Sequence, residues 1–92
     1  MTNWKGKGAT TLRDEPPDGP EVTEYDRLNA PVYLRLIDAD QAGADWREVT
    51  LIVLGIDPEA EPQQARRVHE SHLARARWIM DEGYKGLLTF PA

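Results

Sequence analysis

Prolines, glycines and helix-capping residues divide residues 31–83 of this chain into three intervals of helical length. Each interval opens with a residue that favours a first helical turn and closes with a glycine, which can take the left-handed conformation that ends a helix. The pairs are Pro31 with Gly43, Asp45 with Gly55, and Pro62 with Gly83. This punctuation predicts an all-α, tri-helical domain with helices over 31–42, 45–54 and 62–82.

The first 22 residues have a different character. They are rich in Gly, Pro, Thr and charge and show no hydrophobic periodicity, so we expect a flexible, disordered N-terminal tail over 1–22 and a domain over 23–92. Thr23 with Asp26 three residues later is typical of a capping box. It predicts a short helical turn at 24–29, which Pro31 separates from the next helix because proline has no N–H to donate.

Apolar spacing indicates which faces of the second and third helices point into the core. The expected inward residues of the second helix are Trp46, Val49, Ile52 and Val53. Those of the third are Ala65, Val68, Leu73, Ala76, Ile79 and Met80. Leu51, Ser71, Arg75 and Trp78 are expected on outward faces. Trp78 either packs beneath a C-terminal cap formed by Tyr84, Leu87 and Leu88 or anchors a partner.

Composition restricts the class of protein. The chain has 92 residues, no cysteine and a net charge of -5. Disulfides and thiolate metal sites are therefore excluded, and no apolar run approaches the length of a membrane span. We expect a soluble, cytoplasmic protein that does not coat nucleic acid non-specifically.

The histidines and aspartates of this chain do not form a catalytic or metal-binding pattern. His69 and His72 are one turn apart but lack a third ligand, and packed histidines explain them better. Asp38, Asp40 and Asp45 surround a glycine without the terminal bidentate Glu of a calcium loop. No nucleophile turn or phosphate loop is present. We therefore expect no enzyme activity, metal or cofactor.

The third helix is basic within an acidic chain. Between Pro62 and Met80 it has four arginines and one acid, Glu70. The arginines could form a solvated face with i,i+4 ion pairs, or a recognition helix that contacts DNA through Arg66, Arg67 and Arg77. A third possibility is a protein-binding surface, since exposed Trp and Arg are enriched at such sites. Its expected members are Leu51, Arg67, Ser71, Arg75 and Trp78.

Several motifs carry a family resemblance. YLRLIDADQAGADWREVTLIVLGIDP and HLARARWIMDEGYKGLL resemble the proteobacterial domain of unknown function 2285 over residues 23–88. That resemblance implies a variant helix-turn-helix and a role in regulating integrative and conjugative elements. It further implies a quorum-sensing antiactivator that binds two transcriptional activators, one with related domains and one of the LuxR type.

Two functions compete at this point. The acidic charge and the expected Trp78 surface favour an antiactivator with weak or absent DNA binding. The fold type and the four arginines favour a DNA-binding helix-turn-helix regulator. Of the two, the antiactivator is the preferred hypothesis.

Overall fold

The computed structural model describes residues 12–83. Within that range the chain forms four helices and no β-strand. The helices are α1 (Glu24–Leu28), α2 (Ala30–Gln41), α3 (Trp46–Val49) and α4 (Pro62–Trp78); α3 and α4 continue into π-helical turns, π1 (Thr50–Leu54) and π2 (Ile79–Gly83). The prediction of an all-α, helix-turn-helix-like domain is confirmed. The three predicted long helices correspond to α2, α3 with π1, and α4 with π2.

The helix ends follow local chemistry. Thr23 and Asp26 form the predicted capping box, in which the Thr23 hydroxyl accepts from the Asp26 N–H and the Asp26 carboxylate accepts from the Thr23 N–H. The Asp45 carboxylate accepts from the Arg47 N–H at the start of α3. Gly43 and Gly55 have φ angles of 76° and 75°, a left-handed conformation that glycine adopts without the penalty of a Cβ.

The core lies between α2, α3 with π1, and α4 with π2. Its buried members are Tyr33, Leu36, Ile37, Val49, Leu54, Val68, Leu73, Ala76 and Ile79. Two inward predictions are wrong, because Ile52 and Met80 are 73% and 49% exposed. Thr50 and Leu54 are buried in place of Ile52. The Thr50 hydroxyl donates to the Trp46 carbonyl, so this polar residue can lie inside.

Residues 12–22, here called the strap, have no regular secondary structure but lie along α4. The Arg13 N–H donates to the Tyr25 hydroxyl, and the Ser71 hydroxyl donates to the Asp14 carbonyl. The carbonyls of Gly19 and Glu21 accept from the guanidinium of Arg75. A flexible, disordered tail was predicted over 1–22. Residues 12–22 have no helix or strand, but long-range hydrogen bonds hold them against the helices, so the predicted flexibility is wrong for this part of the tail.

Candidate nucleic-acid interface

The start of α4 presents an exposed polar row on a packed scaffold. Helix α4 follows α3 and π1 after a turn over 55–61, and Ile56 in that turn packs against the core. Gln63, Arg66 and Arg67 are exposed in the first two turns of α4, and Gln64 is partly exposed. In a helix-turn-helix the second helix reaches base edges with its N-terminal residues. The two arginines were expected from sequence; the glutamines were missed, although their place directly after Pro62 marks them as first-turn residues.

Arg66 is placed by two neighbours. Its guanidinium lies 5.1 Å from the centre of the Trp46 ring, and its Nε donates to the Glu70 carboxylate over 3.2 Å. The side chains of Arg66 and Glu70 are 59% and 65% exposed, so their ion pair is weak. Another anion can therefore replace Glu70 as the partner of Arg66. Leu51 is exposed as expected and lines the same groove as Trp46 and Arg66.

Arg67 faces the strap. Its Nη1 approaches the Asp14 carboxylate to 3.4 Å, and the Gln64 amide donates to the same carboxylate over 3.0 Å. Both charged side chains are about half exposed, at 48% and 55%. This side of α4 therefore has donors for an anion and holds one from its own chain.

Arg77 lies away from the other two candidate DNA-binding arginines. It is eleven residues beyond Arg66, or about 16 Å along the helix axis. Its guanidinium pairs with Asp40 at the end of α2. The structure therefore brings Arg66 and Arg67 together at the N-terminal end of α4 and leaves Arg77 at the opposite end.

Arg75 does not lie on the outward face, contrary to prediction. It is 6% exposed, and its Nε and Nη2 donate to the two oxygens of Asp26 over 3.0 and 2.8 Å. Asp26, 2% exposed, also accepts from the Tyr33 hydroxyl. Burial raises the pKa of Asp26, but the bonds from Arg75, the Thr23 backbone and Tyr33 outweigh burial and lower the pKa to about 2. Arg75 turns inward to pair with Asp26, a buried residue of α1 that is 49 residues away in sequence.

Trp78 is half-buried and not openly exposed. The Arg75 guanidinium lies 4.4 Å from the Trp78 ring centre, and Trp78 and Ser71 line a groove with strap residues 15–20. The cap expected from Tyr84, Leu87 and Leu88 lies outside the described residues. Of the five residues predicted to bind an activator, Leu51 lies on π1 and Arg75 is buried in an ion pair. The other three lie beside the strap: Arg67, Ser71 and Trp78. Its role in binding activators stays a prediction.

His72 is a packed structural histidine. It is fully buried, its Nδ1 lies 2.8 Å from the Val68 carbonyl and its Nε2 lies 2.6 Å from the Tyr25 hydroxyl. The carbonyl can only accept, so Nδ1 carries the proton and Nε2 accepts from Tyr25, whose oxygen accepts from the Arg13 N–H. Burial lowers the pKa of His72, which favours this neutral form. His69 is half-buried and packs beside Trp46, with ring centres 5.9 Å apart.

The described residues were also compared with the requirements of a metal site and of a membrane span. Within residues 12–83, no three His, Asp or Glu side chains are grouped to hold a metal ion. None of the helices in that part of the chain is long and apolar enough to cross a membrane.

The fold is a small helical domain of helix-turn-helix-like form, and such a fold is compatible with a DNA-binding domain. The chain belongs to the RovC DNA-binding domain family, whose description is "T6SS, Transcription factor, DNA binding domain" and whose profile matches residues 5–89. This is a family of transcription-factor domains and not of enzymes. The sequence has no close match among curated proteins.

The family match corrects the resemblance drawn from sequence. The matching family is the RovC DNA-binding domain and not domain of unknown function 2285. The motifs behind that resemblance include GADWREV and LGIDP, which contain the Asp45 cap and the left-handed Gly43 and Gly55. Such segments form helix ends, and unrelated helical domains use the same residue types to end their helices. The expectation of a quorum-sensing antiactivator in conjugative transfer loses its basis with that resemblance.

Proposed function

We propose that this chain binds duplex DNA as the reading domain of a transcriptional regulator, with the N-terminal end of α4 in the major groove. Gln63 and Arg66 face base edges, and Gln64 and Arg67 lie at the side of the helix that meets the phosphate backbone. Arg pairs well with guanine and Gln with adenine in that groove. The observation that carries the proposal is the exposed Gln and Arg row in the first two turns of α4.

The scaffold beneath this row supports the proposal. Val68 is 1% exposed and Ala65 is fully buried. The backbone that carries Gln64, Arg66 and Arg67 is therefore anchored to the core. Val49 and Leu54 pack in the same core. Reading side chains need such a rigid base, because an error of about 1 Å weakens a bidentate contact.

Acidic neighbours set the strength of binding. Asp57, Glu59 and Glu61 precede α4, and Glu70 lies on its exposed face. These carboxylates repel phosphates, so binding to random DNA is weak and the discrimination between sequences comes from base contacts. The net charge of -5 is consistent with this division.

The test begins with enrichment of bound sequences from a pool of randomised duplexes. Fluorescence anisotropy on the enriched duplex then compares Arg66→Ala with Arg77→Ala, which removes the same charge from the far end of α4. We expect Arg66→Ala to weaken binding about 5- to 100-fold and to relax base preference at one position. We expect Arg77→Ala to have little effect.

The proposal has two ways to be wrong. If no sequence is enriched by the intact chain, DNA reading by this domain is wrong. If Arg77→Ala weakens binding more than Arg66→Ala, the domain binds DNA through another surface. Circular dichroism of both variants provides the control for folding.

A further inference from the structure

A single carboxylate is held by two donors on one side of α4. The Gln64 amide donates to Oδ1 of Asp14 over 3.0 Å, and Nη1 of Arg67 lies 3.4 Å from Oδ2. Gln64 and Arg67 are three residues apart and therefore adjacent on the helix surface. Two donors thus converge on the two oxygens of one anion.

The geometry of this donor pair suits a phosphodiester as well as a carboxylate. Both anions present two acceptor oxygens, and Arg and Gln side chains commonly donate to DNA phosphates. The pair occupies the third and sixth residues of α4, in the part of the helix proposed to enter the groove. A phosphate beside the groove would therefore meet the donors that now hold Asp14.

We propose that Gln64 and Arg67 form a DNA-phosphate site and that Asp14 of the strap occupies this site in the DNA-free protein. The inference rests on the proposed DNA-reading function and adds the backbone contact and the group that competes for it. Asp14 lowers affinity for all DNA sequences alike, because a phosphate contact positions the protein without reading bases.

The Asp14 side chain and the backbone of residues 19–21 attach the strap with different strength, which makes the exchange local. The Asp14–Arg67 pair is about half exposed, and exposed ion pairs of this kind are weak. The second attachment joins the Gly19 and Glu21 carbonyls to the buried Arg75 over 2.7 and 2.8 Å. Displacement of Asp14 by a phosphate therefore needs movement of one side chain and leaves the strap in place.

The experiment compares Asp14→Asn with Glu15→Gln. Glu15 is the adjacent strap residue, is exposed, and makes no hydrogen bond or ion pair within the described residues. Both variants remove one negative charge, so their difference isolates occupation of the donor pair. Affinity is measured by anisotropy on the enriched duplex over a series of salt concentrations.

We expect Asp14→Asn to tighten binding about two- to fivefold beyond Glu15→Gln at low salt, since only a weak pair is released. The salt slope should steepen by up to about one unit as Arg67 engages a phosphate fully. In an Arg67→Ala background the advantage of Asp14→Asn over Glu15→Gln should disappear.

The failures of the two proposals can be told apart. Equal effects of Asp14→Asn and Glu15→Gln on a chain that binds DNA would overturn the phosphate site and leave DNA reading intact. An advantage of Asp14→Asn that persists without Arg67 would also overturn it. Absence of binding by the intact chain and by every variant would overturn DNA reading and this inference together.

Discussion

Arg75 and Arg77 are two residues apart on one helix and have opposite environments. Arg75 is 6% exposed and is bonded to Asp26, while Arg77 is exposed and paired with Asp40 at the surface. A 200° rotation between them places one against α1 and the strap and the other toward solvent. The charge of an arginine therefore does not tell which side of a helix it occupies when a buried carboxylate is within reach.

The two ion pairs predict very different costs of removal. Asp26→Asn leaves the Arg75 charge buried without its anion and should lower the free energy of unfolding by about 3–5 kcal/mol. Asp40→Asn breaks an exposed pair and should cost less than about 1 kcal/mol. Urea denaturation of both variants at pH 7 measures the difference. Similar costs for the two substitutions would contradict the structural role of the Asp26–Arg75 pair.

Asp26 also predicts a loss of stability in acid. Its pKa lies at about 2, below the ordinary value of 3.8. A lowered carboxyl pKa gives stability that is present above pH 4 and is lost as the pH falls toward 2. The loss is about 2 kcal/mol from this group alone. Denaturation curves at pH 5 and pH 2.5 measure it, and Asp26→Asn should reduce the pH dependence over that interval.

His72 predicts a second pH effect, nearer neutrality. Burial lowers its pKa below 6.5, so the unfolded chain takes up a proton before the folded one does. Stability is then full above pH 6.5 and falls as the pH drops toward the folded-state pKa, by at most about 1.4 kcal/mol per pH unit. NMR titration of the ring protons in the folded chain and in denaturant tests this. A folded-state pKa at or above that of the denatured chain would show that His72 is not held neutral.

At the scale of the elements, glycine decides where α3 with π1 ends. The N–H groups of Gly55 and Ile56 both donate to the Thr50 carbonyl, with Gly55 at a φ of 75°. The turn that follows brings α4 back against the core, so this end also sets the angle of the candidate DNA-binding helix.

Gly55→Ala tests that end without introducing a clash. A Cβ at position 55 would meet no heavy atom within 4 Å, so the cost is only the left-handed backbone, about 1–2 kcal/mol. Gly19→Ala is the control, since a Cβ there is equally unhindered and its φ is not in the left-handed region. Thermal denaturation compares them. Equal shifts in Tm would show that the conformation of Gly55 is not required.

At the scale of the whole molecule, the strap joins the start of the described chain to α4. Its carbonyls at Gly19 and Glu21 satisfy two donors of Arg75, and its Asp14 holds the side of α4 proposed to meet DNA. The strap therefore contributes both to folding and to the candidate interface. Residues 1–13 contain three basic and no acidic side chains, so the acidic charge begins at Asp14.

Truncation measures the contribution of the strap to stability. A chain that begins at residue 23 loses the Gly19 and Glu21 carbonyls that accept from Arg75 and should lose about 1–3 kcal/mol of unfolding free energy. A chain that begins at residue 12 retains every strap contact named above and serves as the control. Equal stability of these two chains would show that the strap contacts α4 without stabilising the fold.

Sequence alone determined the features whose causes are local. Caps at Thr23 and Asp45, Pro62 at the start of α4, and the glycines after α2 and π1 act within one or two turns, so the all-α fold and its helix ends were predictable. Arg66 and Arg67 were predictable as candidate DNA contacts because their position at the start of the last long helix is also a local property.

Tertiary structure decided the features that depend on distant partners. Arg75 is buried because it pairs with Asp26, which is 49 residues away in sequence but 2.8 Å away in the folded chain. The neutral tautomer of His72 depends on Tyr25, and the occupation of the Gln64–Arg67 donor pair depends on Asp14. Hydrophobic periodicity along the sequence cannot predict such pairs. They form only when distant segments of the chain come into contact and their polar groups lose water together.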